Sequence, residues 1–279
     1  MLKFKITAKD EGKRLDIVIA EHLKTSRSYV KFLIDNDYVK INSLKGKPSY
    51  KVIVGDQIVA TIPIKQETLE SDINVPIIYK NKDFAIYNKP WGMSVHPNES
   101  RKPRSEVMLT DIINRDFPKI KDRVERMGIV HRLDKNTSGL IIVSLNNKFS
   151  LFIKDQFKLH EIKKTYKALV LGKIKPEKGI IDAPIVRSGS LEGRMTISSE
   201  NEGRIAKTNY KVDKYLSDRK NKYSLLSVYP KTGRTHQIRV HLSSIGHPIV
   251  GDKLYGYDKN NAKRQLLHAE GVEFTNLES

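Results

Sequence analysis

Apolar positions in this chain recur with two periods, and the changes of period mark its elements. Leu15, Val18, Ile19 and Leu23 fall three and four apart, which predicts a helix over 14–23 with one buried stripe. Tyr29, Val30, Leu33 and Ile34 repeat that spacing after Thr25 and Ser26, either of which can cap a second helix by accepting a backbone N–H. The pattern then turns strand-like. Val39-Lys40-Ile41 alternates, Val52-Ile53-Val54 is apolar, and Gly55-Asp56 leads into Ile58-Val59-Ala60. From 62 to 72 no period holds, which predicts a linker. The breaks divide the chain into a small unit at 1–62, a connector at 63–76 and a larger part at 77–279. About sixty residues can fold alone.

In the larger part, strands are predicted at 83–88, 140–144, 164–170, 210–212 and 224–229. Helices are predicted at 107–115, at 147–157 with Phe149, Phe152, Ile153 and Phe157 on one side, and at 236–245. Thr235 can cap the last of these, Gly246 ends it, and Ile238, Leu242 and Ile245 form its stripe. Lys89-Pro90-Trp91-Gly92 is a turn, and the polar run 98–106 is expected to be mobile. Strands and helices mix without βαβ alternation, so the expected class is α+β with a mixed, mostly antiparallel sheet, flanking helices and a central cleft.

The densest polar motif is His131-Arg132-Leu133-Asp134-Lys135-Asn136-Thr137-Ser138-Gly139. It lies between the apolar runs Met127-Gly128-Ile129-Val130 and Leu140-Ile141-Ile142-Val143, which read as two buried strands. Such strands would fix the turn and present Asp134 to a cleft. Asp134 could equally form an Asx-turn that caps the following chain together with Thr137.

Charge narrows the partner. The chain has 51 Lys and Arg against 32 Asp and Glu, a net +19, which predicts attraction to a polyanion, most simply nucleic acid. Residues 1–65 carry +6 of it and the remainder +13, so the footprint spans both parts. There is no cysteine, which excludes disulfides and thiolate chemistry. His236, His241 and His247 are five and six apart, not the three or four that align ligands on a helix, so no metal is expected. No G-x-G-x-x-G or P-loop pattern calls for a nucleotide cofactor. No apolar run spans a membrane and no secretory signal is seen, so the expected location is the cytoplasm and the expected state a monomer.

Two resemblances give these features a task. Arg14-Leu15-Asp16, Ser26-Arg27-Ser28, Leu33-Ile34, Val39-Lys40-Ile41-Asn42 and Val54-Gly55-Asp56-Gln57-Ile58 make the small unit similar to the S4 RNA-binding domain. That likeness implies RNA contacts at Arg14, Arg27 and Lys31, although Arg14 could pair with Asp16 instead. The sequence departs from the S4 pattern at Asp37 and Ser43, where glycine is common. In the larger part, the segments 88–97, 131–139 and 232–242, extended by 246–252 and 266–269, resemble the RluA/RluD family of RNA pseudouridine synthases.

The second resemblance implies isomerisation of uridine in RNA, most simply 23S-type ribosomal RNA, with no cofactor. Asp134 matches the catalytic carboxylate, acting by addition to C1′ or through a glycal. Closing a cleft over an aspartate opposes its charge, so a cation is expected beside it, and Arg239 matches that partner in a pair that could be bidentate. Tyr166 matches the active-site tyrosine; alone it also fits a core-filling strand residue, and Arg239 alone fits an exposed helix arginine. His131 and Arg132 flank Asp134, and the match favours Arg132 for holding phosphate or the space a flipped base leaves. Leu267 matches an apolar residue beside the flipped uracil, or is plain core. Two other classes fit parts of the sequence: a non-catalytic RNA-binding or ribosome-assembly protein, and a hydrolase using Asp134 with a histidine, such as a nuclease, which usually needs a metal cluster or a second carboxylate near Asp134.

Overall fold

Helical spacing becomes helix where an apolar stripe has something to bury against. In the computed structural model, which describes residues 2–23, 25–61, 72–96, 106–189, 193–198, 202–256 and 262–277, the chain forms two compact units. The smaller comprises Met1–Leu69 with His96–Glu106. Its elements are β1 (Leu2–Lys5), α1 (Leu15–Leu23), α2 (Arg27–Asp35), β2 (Val39–Ile41), β3 (Leu44–Lys45) and β4 (Gln57–Ala60). The strands pair antiparallel in the order β1-β4-β2-β3. Leu15, Val18 and Ile19 of α1 and Val30, Leu33 and Ile34 of α2 are buried with Val39, Val52 and Ile58. Ser26 is the cap of α2, accepting the Tyr29 N–H at 3.2 Å.

One segment departs from the sequence reading, and two positions depart from the S4 pattern. Residues 52–54 are not a strand: Val52 is buried and bonded to Lys13, while Ile53 and Val54 face solvent. Asp37 and Ser43 stand at φ 63° and 69°. The backbone is therefore left-handed at both places where the S4 pattern favours glycine, and two small polar residues accept it.

The larger unit comprises Glu70–Val95 and Val107–Ser279. It runs β5 (Ile77–Lys80), β6 (Phe84–Lys89), α3 (Leu109–Asp116), α4 (Ile120–Arg123), β7 (Ser138–Ser144), α5 (Asn147–Lys158), β8 (Lys163–Leu171), β9 (Lys178–Asp182), β10 (Ile185–Arg187), β11 (Met195–Ile197), β12 (Lys207–Ser217), β13 (Lys222–Pro230), α6 (Gln237–Ser244) and β14 (Leu267–Glu273). Eight strands form one sheet in the order β5-β6-β7-β14-β8-β13-β12-β9. Its pairs are antiparallel except β7 with β14. The last strand in sequence thus lies near the middle of the sheet.

Ile112 and Ile113 of α3 are buried with Ala85, Tyr87, Ile141 and Val143 on one side of the sheet. Phe149 and Ile153 of α5 are buried with the alternate residues Phe84 and Ile142 on the other. Within the expected connector, Val75 is buried in the larger unit's core and the Pro76 carbonyl accepts the Asn88 N–H. The connector at 62–71 and the polar run at 97–105 otherwise lie outside the described residues.

The run before the Asp134 motif is not a strand. Glu125–Gly128 makes a tight helical turn with Arg126 and Met127 at φ 54° and 52°. Only Ile129 bridges β7, at Val143. Helix α6 begins one residue later than expected, and Thr235 does not cap it: His236 holds that position in a left-handed conformation, φ 56°, with no side-chain bond to the helix. Ile238 and Leu242 are buried, but Ile245 lies just past the end of the helix and is 38% exposed, so it does not continue the stripe.

Candidate active site

The sheet order assembles the site. β14 pairs with both β7 and β8, so Ala269 stands opposite Gly139 on one side and Tyr166 on the other. Gly139 in turn stands opposite Lys89 of β6. Residues directly opposite one another in a sheet share a face. Lys89, Gly139, Ala269 and Tyr166 therefore form one row across four strands, and the Asp134 turn enters the sheet at that row. Gly139 has φ 118°, and a Cβ there would run into the Ala269 backbone.

The turn is braced from three sides. Thr137 donates its N–H to the Asp134 carbonyl at 3.0 Å, and its hydroxyl accepts from Gln265 at 2.8 Å. Lys89, fully buried, donates its ammonium to the carbonyls of Pro90, Met93 and Lys135 at 2.8, 2.9 and 3.2 Å. Burial pushes the Lys89 pKa down to about 8, with Asp134 opposing and Arg264 adding to the fall. His131 accepts the Ile142 N–H through Nε2 at 2.8 Å, and its ring lies 5.0 Å from that of Phe157. β14 pairs with β7 at Ser138 and Gly139, and His131 takes up an N–H farther along that edge. His131 is thus engaged in the fold, and Arg132 beside it is exposed.

Asp134 remains about a quarter exposed and accepts from Arg239 Nη1 at 2.9 Å through Oδ2. Arg239 is buried on α6. Its bidentate pair goes elsewhere: Nε and Nη2 donate to the two oxygens of Asp252 at 2.7 and 2.9 Å. Burial opposes the Arg239 charge, but the bonds to Asp252 and Asp134 outweigh it and raise its pKa. Asp252 also receives the N–H groups of Leu254 and Tyr255 and is fully buried. The geometry is a shared guanidinium: one carboxylate is saturated and closed, and the other holds one arm and stays open.

His236 Nε2 lies 3.9 Å from the same Asp134 oxygen, and burial lowers its pKa against the pull of Asp134. Tyr166 is half-buried between two core clusters. Burial, and then the charge of Asp134, raise its hydroxyl pKa well above the ordinary value, so it keeps its proton. Lys164, two residues earlier on the same face of β8, donates to the Thr232 carbonyl at 3.1 Å, and burial pushes it down to about 8. Leu267 is 3% exposed in the apolar cluster against which Tyr166 packs.

Arg14, Arg27 and Lys31 belong to the smaller unit. Arg14 and Arg27 converge on the buried carboxylate of Asp16 at 3.0 Å each, and Lys31 pairs with Asp35 at 3.0 Å. His241 and His247 are bonded separately, His241 to Thr208 and Ala183 and His247 to the Leu171 carbonyl. No group of three or more metal-binding side chains gathers among the described residues.

Sequence reasoning missed four members of this cluster: Lys89, Asp252, His236 and Tyr255. Lys89, His236 and Asp252 stand within the segments that carry the family resemblance. The signal that could have found Asp252 is electrostatic: a guanidinium buried on a helix needs more than one open carboxylate to offset its desolvation.

Residues 83–244 match the RNA pseudouridylate synthase family. An RNA pseudouridine synthase of Aquifex aeolicus (strain VF5), described as uncharacterized, is 38% identical over 275 residues, covering 97% of this chain and 85% of the relative. The ribosomal large subunit pseudouridine synthase D of Haemophilus influenzae is 33% identical over 286 residues, covering 96% and 85%. The solved structure of human RNA pseudouridylate synthase domain containing 1 is 30% identical, with a TM-score of 0.59 over 72% of this chain and 79% of that one. The sheet is thus that of an RNA-modifying isomerase. The chain belongs to the RNA pseudouridylate synthase family and is an RNA pseudouridine synthase.

Proposed function

We propose that this enzyme isomerises uridine in large-subunit ribosomal RNA, with Asp134 as the catalytic carboxylate. The observation that carries the reading is the asymmetric sharing of Arg239: Asp252 is saturated and buried, while Asp134 keeps an open side toward solvent. An open carboxylate beside a buried cation is held ready to act as an anion. The same asymmetry argues against the nuclease reading, because the second carboxylate is already filled with four N–H donors.

The target uridine leaves its stack at a cost of a few kcal/mol and brings C1′ to Asp134. The N1–C1′ bond breaks, the uracil turns, and a C5–C1′ bond forms. C5 loses its proton and N1 gains one, so the reaction is balanced without an oxidant or a cofactor. Tyr166, protonated and apolar in body, stacks on the uracil. Arg132, exposed beside Asp134, holds backbone phosphate, and Leu267 backs the wall behind Tyr166. Addition of Asp134 to C1′ and expulsion through a glycal both use this arrangement.

The smaller unit is read as an S4-type RNA-binding domain spanning 1–62, with Arg14, Arg27 and Lys31 as its contacts. Support comes from the left-handed turns at Asp37 and Ser43 and from the partial exposure of all three side chains. Ribosomal RNA as substrate is supported by the printed name of the Haemophilus influenzae relative. The test is incubation with unmodified large-subunit RNA, followed by carbodiimide mapping of pseudouridine. Wild type is expected to modify discrete uridines, and Asp134→Asn none, with RNA affinity unchanged within about threefold. Product from Asp134→Asn, or affinity lost in step with product, would overturn the assignment.

A further inference from the structure

Tyr255 belongs to no step above, yet it closes a ring of contacts around Asp134. Its hydroxyl has two partners: the Met195 N–H at 2.8 Å and His236 Nδ1 at 2.9 Å. A backbone N–H only donates, so the Tyr255 oxygen accepts there and its own hydrogen is left for His236 Nδ1. With the hydroxyl donating, Nδ1 is the acceptor nitrogen of a neutral ring and the ring hydrogen sits on Nε2. That nitrogen is the one 3.9 Å from Asp134 Oδ2. At this distance the N–H is a dipole beside the carboxylate rather than a hydrogen bond. Its positive end reinforces the single arm of Arg239.

Tyr255 is itself firmly placed. It is 7% exposed, its N–H is held by Asp252, its carbonyl accepts from Ser243 at 2.9 Å, and the Arg239 guanidinium lies 5.0 Å from its ring. Met195 is the first residue of β11, which pairs with β10 as a separate two-stranded hairpin. The hairpin rests on Val240 and Tyr255 through Ile185, and Arg194 stands 5.5 Å over the Tyr255 ring. A cleft of about 320 Å³ opens beside this contact, between the hairpin and α6. The Met195–Tyr255 bond is therefore a polar pin between a separate, arginine-bearing hairpin and the Asp134 site.

We propose that Tyr255 is a positioning residue: it fixes the Nε2–H form of His236 beside Asp134, and the β10–β11 hairpin sets it in place. The inference rests on the reading of Asp134 as the catalytic carboxylate. Tyr255→Phe keeps the ring and removes only the hydroxyl. The expected result is a single-turnover rate about tenfold lower, with RNA affinity within about twofold of wild type. In 15N spectra, His236 is expected as the Nε2–H form in wild type and as a mixture in Tyr255→Phe. His236→Gln can return an N–H toward the carboxylate, so it should retain more activity than His236→Ala.

An unchanged rate in Tyr255→Phe, a proton on Nδ1 in wild type, or equal rates for the two His236 variants would each overturn the proposal. So would loss of RNA affinity in proportion to rate. Asp134→Asn, assayed alongside, separates the two ideas: if it retains turnover the underlying reading fails, and if it alone is inactive only the role of Tyr255 fails.

Discussion

Arg239 shows how a single residue divides its labour. A guanidinium has a planar fork that suits one carboxylate with two parallel bonds and leaves a third direction free. Here the fork goes to buried Asp252 and the free arm to Asp134. His131 shows the opposite case, a motif residue whose work is structural. Its Nε2 accepts the Ile142 N–H, which only the neutral ring can do, and burial pushes its pKa from 6.5 down to about 3. The unfolded chain takes up that proton near pH 6.5 and the folded chain only near pH 3, so stability is lost as pH falls through that window. Thermal unfolding at about pH 7 and about pH 4 should show a smaller loss of Tm for His131→Asn than for wild type. Equal losses would mean that another group titrates.

At the scale of elements, the site depends on where β14 inserts. Because it lies between β7 and β8, residues from four distant segments fall into the row Lys89, Gly139, Ala269 and Tyr166. Gly139→Ala would drive a Cβ into the Ala269 backbone at a φ that side chains rarely adopt. A loss of about 3 kcal/mol in urea unfolding is expected, and a change under about 1 kcal/mol would mean the pairing gives way freely. Strong periodicity made α1, α2, α5 and β8 legible in the sequence. The run Met127–Val130 misled, because apolar residues at 127, 129 and 130 look like a strand whether or not the backbone turns left-handed beneath them. The family resemblance singled out Asp134, Tyr166 and Arg239, and the fold brings Arg239 within 2.9 Å of Asp134. Asp252 and Tyr255 were not singled out, because their importance comes from contacts made only when the 249–256 turn folds back on α6.

At the scale of the molecule, the net charge of +19 belongs to both parts of the chain. Affinity for unmodified large-subunit RNA should fall on the order of a hundredfold between about 50 and 200 mM salt, as expected when several phosphates are neutralised. Lys31→Glu should flatten the dependence of log Kd on log salt, whereas Asp134→Asn should leave it unchanged. A slope unaffected by Lys31→Glu would remove that face of the smaller unit from the RNA contact.

The buried ammonium of Lys89 has one further consequence. It grips the Pro90 and Met93 carbonyls on one side and the Lys135 carbonyl on the other, so the turn carrying Trp91 is tied to the residue next to Asp134. Trp91 is half exposed and is the only tryptophan in the chain. All indole emission from this protein therefore arises at one known point on the rim of the site. The arrival of RNA there can be timed optically, without a label and separately from the bond-breaking that follows.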